Sequence, residues 1–144
     1  MKVIVSSCLL GKNCKYNGLN NYKEDLVTYL KDFEIVEICP EQLGGLSTPR
    51  LPSEIIDKKV IRKDGVDITP FFRKGAEISL EIAIENGCQY AVLKKNSPSC
   101  GCGQIYDGTF SSKLVEGNGI TSELFLQNNI KICNEDNYLE KLKK

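Results

Sequence analysis

The chain has 144 residues, enough for one folded domain with a buried core, and its 41% apolar and 26% charged residues are typical of a globular protein. Nineteen basic side chains balance nineteen acidic ones, so the composition provides no overall attraction to nucleic acid or to an anionic membrane. The chain contains seven cysteines and no histidine, which excludes Ser-His-Asp triads, Cys-His pairs and two-histidine iron sites.

The first apolar run ends after Val5 and is too short for a signal peptide or a membrane span. We therefore expect a cytoplasmic protein with no membrane partner. In a reducing compartment, several cysteines more often indicate metal binding or catalysis than disulfides. Cys88 and Cys133 lie beside strand-like runs, and we expect both to pack as small apolar residues.

The first half of the chain predicts two strands and one helix. The apolar pattern predicts strands at 3–5 and 34–38, and a helix over 22–31. Segment 41–52 contains adjacent glycines and two prolines, so we expect a loop without regular structure. Residues 53–62 are typical of a small hairpin.

The second half predicts a longer helix followed by shorter elements. Thr69 as N-cap and Pro70 at the first helical position predict a helix that runs through Glu85 and stops at Gly87. The remaining predicted elements are a strand at 90–94, a helix at 120–128, a strand at 130–133 and a helix at 137–142. Segment 95–119 lacks clear periodicity, and we expect a functional loop there.

Alternation of strands and helices predicts an α/β fold. We expect a single domain over residues 1–144, with a mostly parallel sheet of about four main strands flanked by helices. The arrangement should be three-layered and flavodoxin- or Rossmann-like, with a small β-hairpin insertion.

Cysteines lie in the segments that follow three of the predicted strands. Cys8 follows the first, Cys39 the second, and Cys100 and Cys102 the third. The carboxyl ends of parallel strands share one edge, where open α/β folds bind their ligands, so we expect these thiols to converge. Converging thiolates suit zinc or an iron–sulfur cluster. Single cysteines from separate strands favour a cluster, because this chain lacks the C-x2-C pair of a zinc knuckle.

Several motifs occur together along the chain. They are SSCLLG at 6–11, CPEQLGGLSTPR at 39–50, DGVDIT at 64–69, Gly75-Ala76, SPSCG at 97–101 and YDGTF at 106–110. This combination resembles the TudS-type thiouracil desulfidases, a bacterial family formerly catalogued as a domain of unknown function. The resemblance covers nearly the whole chain.

The resemblance implies a [4Fe–4S] cluster held by Cys8, Cys39 and Cys100, with a fourth iron that has no protein ligand. That iron would bind the sulfur of a thiolated nucleobase or nucleoside such as 2-thiouracil, and hydrolysis would release sulfide without net electron transfer. The resemblance also implies that Glu41 and Ser97 move protons or position water. The cluster-assembly machinery would be a partner.

Three further residues are predicted to contact the small-molecule substrate: Ser7, Arg50 and Lys94. Arg50 and Lys94 would also face an anionic cluster. The balanced net charge argues against long RNA as the substrate.

The residues also permit a different function. Cys14 or Cys102 lies close enough in sequence to occupy the fourth iron, which would close the site and make the protein a non-enzymatic metal- or cluster-binding protein. We expect Cys102 to point away from Cys100. A nucleotide-binding protein or a thiol oxidoreductase is disfavoured, because the chain has neither a phosphate-binding glycine motif nor C-x-x-C.

Overall fold

A four-stranded parallel β-sheet lies at the centre of the structure, a computed structural model that describes residues 1–143. The strands are β1 (Lys2–Ser6), β2 (Glu34–Ile38), β3 (Ser53–Ile56), β4 (Lys59–Arg62), β5 (Tyr90–Val92), β6 (Gln104–Tyr106), β7 (Leu114–Glu116) and β8 (Lys131–Cys133). The α-helices are α1 (Glu24–Tyr29), α2 (Pro40–Leu43), α3 (Thr69–Glu85), α4 (Ile120–Gln127) and α5 (Tyr138–Lys141). Short 3₁₀ helices cover Ser7–Leu10 and Leu30–Asp32.

The order of the central sheet is β2-β1-β5-β8, and every neighbouring pair is parallel. The chain passes from β1 to β2 on one side and then crosses to β5 on the other side of β1. Loops that leave β1 and β5 therefore diverge, and this divergence opens a crevice at the carboxyl edge of the sheet.

Helices cover both faces of this sheet, as the predicted three-layer arrangement requires. Alternating residues of β1 point to opposite faces, so Ile4 joins one buried cluster and Val3 and Val5 join another. The first cluster packs against Ala83 of α3 and Phe125 of α4. The second includes Leu26, Leu30, Tyr138 and Leu142 from α1, the 3₁₀ helix that follows it, and the α5 region. The α/β fold class is thus confirmed.

The prediction of an irregular 41–52 segment was wrong at its start, because α2 forms there. Pro40 is tolerated in the first helical turn, where its missing N–H has no partner to lose. The short helix lies directly on α3, where Gly44 and Gly75 allow the two backbones to touch. Tertiary contact therefore stabilises a helix too short to be stable alone.

Two other predictions need correction. The 95–119 segment is not wholly irregular, because β6 and β7 form an antiparallel hairpin within it. Strands of three residues are too short to show a period in sequence. Thr69 is the first helical residue rather than the N-cap, and its hydroxyl donates to Asp67 and accepts the N–H of Val60.

The predicted hairpin at 53–62 is confirmed as β3 and β4. Its turn residues Asp57 and Lys58 have φ values of 50° and 65°, the left-handed conformation that a tight hairpin turn requires. Within residues 1–143, none of the helices has the length and apolarity that crossing a membrane demands.

Candidate active site

A cavity of about 390 Å³ opens at the carboxyl edge of the central sheet. All eight residues predicted to form the site line it. They are Ser7, Cys8, Cys39, Glu41, Arg50, Lys94, Ser97 and Cys100. The structure thus brings together side chains from four separate segments of the chain, while their individual roles remain predictions.

Each cysteine of the predicted ligand set reaches the cavity from the end of a different strand. Cys8 lies in the 3₁₀ helix after β1. Cys39 occupies the extended residue between β2 and α2. Cys100 lies in the loop that follows β5. Adjacent parallel strands lie about 5 Å apart, so consecutive strand ends deliver thiols to one place.

Cys14 is a fourth thiol in the same cavity, and it contacts two of the predicted ligands. It is only 2% exposed, and its thiol lies close enough to those of Cys8 and Cys39 to influence the pKa values of both. The Cys39 sulfur also approaches the carbonyl oxygen of Cys14 at 3.9 Å. Cys14 therefore belongs to the site.

These contacts shift the pKa values of the three thiols in different directions. The Cys14 thiol lowers the pKa of Cys39 to about 7, helped by the backbone N–H of Gln42. It also lowers the pKa of Cys8, with a smaller contribution from the Asn21 side chain. The proximity of Cys39 and Cys8, together with burial, raises the pKa of Cys14 itself. The pKa shifts thus move Cys8 and Cys39 toward the thiolate form and Cys14 toward the protonated form.

Cys100 has a different environment, because it is deeply buried at the wall of the cavity. Burial raises the pKa of its thiol to about 12. The hydroxyl of Ser6 donates to its sulfur at 3.3 Å, and the hydroxyl of Ser99 lies 3.7 Å away. Ser6 also accepts the N–H of Lys94 at 3.0 Å, so this buried hydroxyl links β1 to the loop after β5.

The other three cysteines do not line the cavity. Cys88 and Cys133 are buried in the two core clusters, and Cys102 packs against the cluster that contains Phe125. Burial raises the pKa of all three thiols. Within residues 1–143, no three Cys, Asp or Glu side chains meet at the spacing that one metal ion needs.

Glu41 is held by an ion pair inside the cavity. Its Oε1 accepts from Nε of Arg50 at 3.1 Å and lies 3.0 Å from Nη2. The two side chains are 17% and 9% exposed. The remaining guanidinium contacts are to Ser47, Thr48 and the carbonyl of Cys14, at 2.9 to 3.1 Å. All three guanidinium nitrogens are thus engaged within the protein.

The second oxygen of the Glu41 carboxylate accepts a hydrogen bond from Ser99 at 2.8 Å. Ser99 in turn lies 3.4 Å from the hydroxyl of Ser97, which accepts the N–H of Cys100 at 2.7 Å. A chain of polar groups therefore runs from Glu41 through Ser99 to Ser97. Sequence reasoning missed Ser99, because nothing in the SPSCG motif distinguishes the two serines.

Lys94 is positioned by a residue from a distant part of the chain. Its ammonium group lies 2.9 Å from Glu135, a carboxylate whose side chain is only 8% exposed. Glu135 also accepts the N–H of Lys95 at 2.8 Å. Glu135 lies just beyond β8, and no sequence motif marked it.

Comparisons with known proteins identify a family and two similar proteins. The chain matches the 2-thiouracil desulfurase family over residues 3–137. It is 40% identical to the Bacillus subtilis (strain 168) protein YbbK, described as uncharacterized, over 93% of this chain and 95% of that protein. The solved structure of TudS, a [4Fe-4S]-dependent thiouracil desulfidase, superposes with a TM-score of 0.91 at 37% identity, covering 97% of this chain and 94% of the other.

Proposed function

The chain belongs to the 2-thiouracil desulfurase family, and from this premise we propose that it is a [4Fe–4S]-dependent enzyme that removes sulfur from a thiolated nucleobase or nucleoside. One water molecule replaces the thiocarbonyl sulfur by oxygen, and the sulfur leaves as sulfide, so no electrons are transferred. The observation that supports this most strongly is the meeting of three strand-end thiols with a carboxylate–serine chain in one cavity.

The donor set suits such a cluster. Cys8, Cys39 and Cys100 would hold three irons, since thiolates are the usual ligands of iron–sulfur clusters. Hydrogen bonds to ligand sulfurs tune such sites, and the Ser6 hydroxyl already donates to the sulfur of Cys100. When bound, the cluster would supply an open iron that acts as a Lewis acid toward the substrate sulfur.

Glu41 is the group best placed to accept a proton from the attacking water. In a chain without histidine, a carboxylate is the natural proton acceptor, and Glu41 lines the cavity. Ser99 and Ser97 would pass or hold protons along the chain that begins at Glu41. Because Ser99 contacts Glu41 directly, we add it to the predicted pair of Glu41 and Ser97.

The three predicted substrate contacts differ in how the structure supports them. All the nitrogens of Arg50 are engaged, so we propose that Arg50 is a positioning residue that aims Glu41. Lys94 would offset the negative charge that thiolates bring to the cavity, with Glu135 fixing its position. Ser7 remains a candidate substrate contact because it lines the cavity at the end of β1.

A second function has one specific observation in its favour. Cys14 lies against Cys8 and Cys39, so it can serve as a fourth ligand and close the cluster. The protein would then carry or store a cluster without acting on a substrate. We favour the enzyme, in which Cys14 donates hydrogen bonds to its neighbouring sulfurs.

Reconstitution under anaerobic conditions with iron and sulfide tests both possibilities. We expect about four irons per chain and sulfide release from 2-thiouracil. The Cys8→Ser, Cys39→Ser and Cys100→Ser variants should lose both the iron and the sulfide release. Cys88→Ser and Cys102→Ser serve as matched controls and should keep the iron content and the sulfide release of the wild type.

The Cys14→Ser variant separates the two functions. In the open-iron enzyme it keeps about four irons and measurable sulfide release. Loss of iron from this variant, together with an inactive wild type, would establish the closed cluster instead.

We also place the reaction in the cytoplasm, with the cluster delivered by the cluster-assembly machinery. This placement rests on the seven cysteines of the sequence, which in a reducing compartment indicate metal binding or catalysis. Co-expression with assembly genes should raise the iron content of the protein as isolated.

A further inference from the structure

The YDGTF motif at 106–110 has no role in the chemistry described above, although it lies at the cavity. It spans the end of β6 and the loop that leads to β7, and Tyr106, Phe110 and Ser112 line the cavity. This loop therefore forms part of the wall that a substrate must pass.

A buried carboxylate holds the loop in place. Glu54 of β3 is 9% exposed, and one of its oxygens accepts the backbone N–H groups of Gly108 at 3.0 Å and Phe110 at 3.1 Å. Within residues 1–143, no basic side chain forms an ion pair with Glu54. Two hydrogen bonds to one buried side-chain oxygen fix the loop on β3, because a buried oxygen without its donors is unfavourable.

The loop backbone adopts a conformation that its sequence does not favour. Phe110 has φ 56° and Ser112 has φ 62°, values that bulky side chains rarely take. Gly108 packs so closely on β3 that an added Cβ would lie 2.3 Å from Ile56. Contacts with β3 thus hold the backbone of Phe110 in this unfavourable conformation, at the wall of the cavity.

The ring of Phe110 has no packing role in the protein core. It is half-buried, yet among residues 1–143 it belongs to none of the three hydrophobic clusters and to neither aromatic pair. An apolar ring placed at a cavity and left out of the core is available to a ligand.

We propose that Phe110 is the wall on which the planar ring of the substrate stacks, and that Glu54 is the residue that positions it. This inference rests on the proposed function, since a thiolated pyrimidine is the planar group in question. Phe110 would bind the ring of the substrate, whereas the cluster would bind its sulfur. Stacking of a base on an aromatic side chain contributes enough to change affinity by about tenfold or more.

The test uses the reconstituted holoenzyme with three substitutions at one position. Phe110→Leu keeps apolar volume but removes the aromatic face, Phe110→Ala removes both, and Phe110→Tyr keeps the face. We would measure kcat and KM for 2-thiouracil, together with inhibition constants for uracil and for 5,6-dihydrouracil, which lacks an aromatic ring.

We expect the leucine and alanine variants to raise KM and the uracil inhibition constant about tenfold, with kcat little changed. The tyrosine variant should match the wild type, and inhibition by dihydrouracil should change much less. Glu54→Ala, which removes the acceptor of both N–H groups, should raise KM without lowering kcat. Glu116→Ala, at an exposed carboxylate on β7, should not.

The leucine variant also keeps the inference testable if the alanine variant unfolds. Wild-type values of KM and uracil inhibition in Phe110→Leu would overturn the stacking role and leave the proposed function standing. If the wild type releases no sulfide, the proposed function fails. Calorimetric titration with uracil then decides the inference, which requires binding by the wild type and about tenfold weaker binding by Phe110→Leu.

Discussion

Replacing Gly75 of α3 by alanine should displace the helix that carries Glu41. In most helices this change stabilises, by about 1 kcal/mol, because alanine is the better helix former. Here a Cβ at position 75 would lie 1.9 Å from the carbonyl oxygen of Pro40 and 3.2 Å from the amide nitrogen of Gly44. Whether the substitution raises or lowers the free energy of unfolding therefore depends on whether α2 can move.

The contact at Gly75 is between backbone atoms, so no flexible side chain can swing away. Contacts of a real Cβ essentially never fall below 3.0 Å, so α2 and α3 must separate by roughly 1 Å. Overpacking of this kind costs about 1–3 kcal/mol and occasionally more, which outweighs the gain in helix propensity. Because the clash is with backbone, we expect a cost near the upper end, about 3 kcal/mol. Subtracting the propensity gain of about 1 kcal/mol leaves a net loss of about 2 kcal/mol in the free energy of unfolding and a Tm lower by about 6 °C.

The same displacement should impair the site, because α2 follows Cys39 directly and contains Glu41. A shift of 1 Å in a catalytic group can lower a rate by about a hundredfold. Thermal unfolding by circular dichroism, iron content after reconstitution and sulfide release would measure the three effects.

Glu77→Ala changes an exposed residue of the same helix and is the matched control. It should leave the Tm, the iron content and the sulfide release unchanged. A Gly75→Ala protein that melts at or above the wild-type Tm would refute the reasoning.

Three further changes probe the site and the core. Ser6→Ala removes the donor to the Cys100 sulfur, so iron affinity should fall about tenfold, as measured by competition with a chelator. Glu135→Gln removes the buried partner of Lys94, and chemical denaturation should show a loss of about 2 kcal/mol, reduced from a fully buried pair because Lys94 is partly exposed. Leu30→Ala empties a fully buried position and should cost about 3 kcal/mol by the same measurement without changing the rate of a loaded, folded enzyme.

Each of these expectations has a contrary result. Iron affinity equal to wild type in Ser6→Ala would show that this hydroxyl does not support the ligand. Glu140→Gln, an exposed acidic position, is the control for Glu135, and equal stability losses in the two variants would contradict the ion-pair argument. A stability loss below about 1 kcal/mol in Leu30→Ala would contradict close packing around that side chain.

The strands of the central sheet were predictable because each is a short apolar run bounded by polar or turn residues. The positions of Cys8, Cys39 and Cys100 at strand ends followed from these runs, and parallel pairing then required the thiols to approach one another. The short elements were not predictable. Helix α2 depends on contact with α3, and the β6 and β7 strands are too short to show periodicity.

The sequence by itself determined which chemical groups stand at the ends of the strands and excluded histidine from any mechanism. Only the tertiary structure decided how those groups face one another. It placed Ser99 on Glu41 across 58 residues of chain, and it placed Cys14 against two other thiols. The physical reason is that periodicity records which face of an element is buried, whereas the direction of a side chain in a loop is set by contacts with residues far away in sequence.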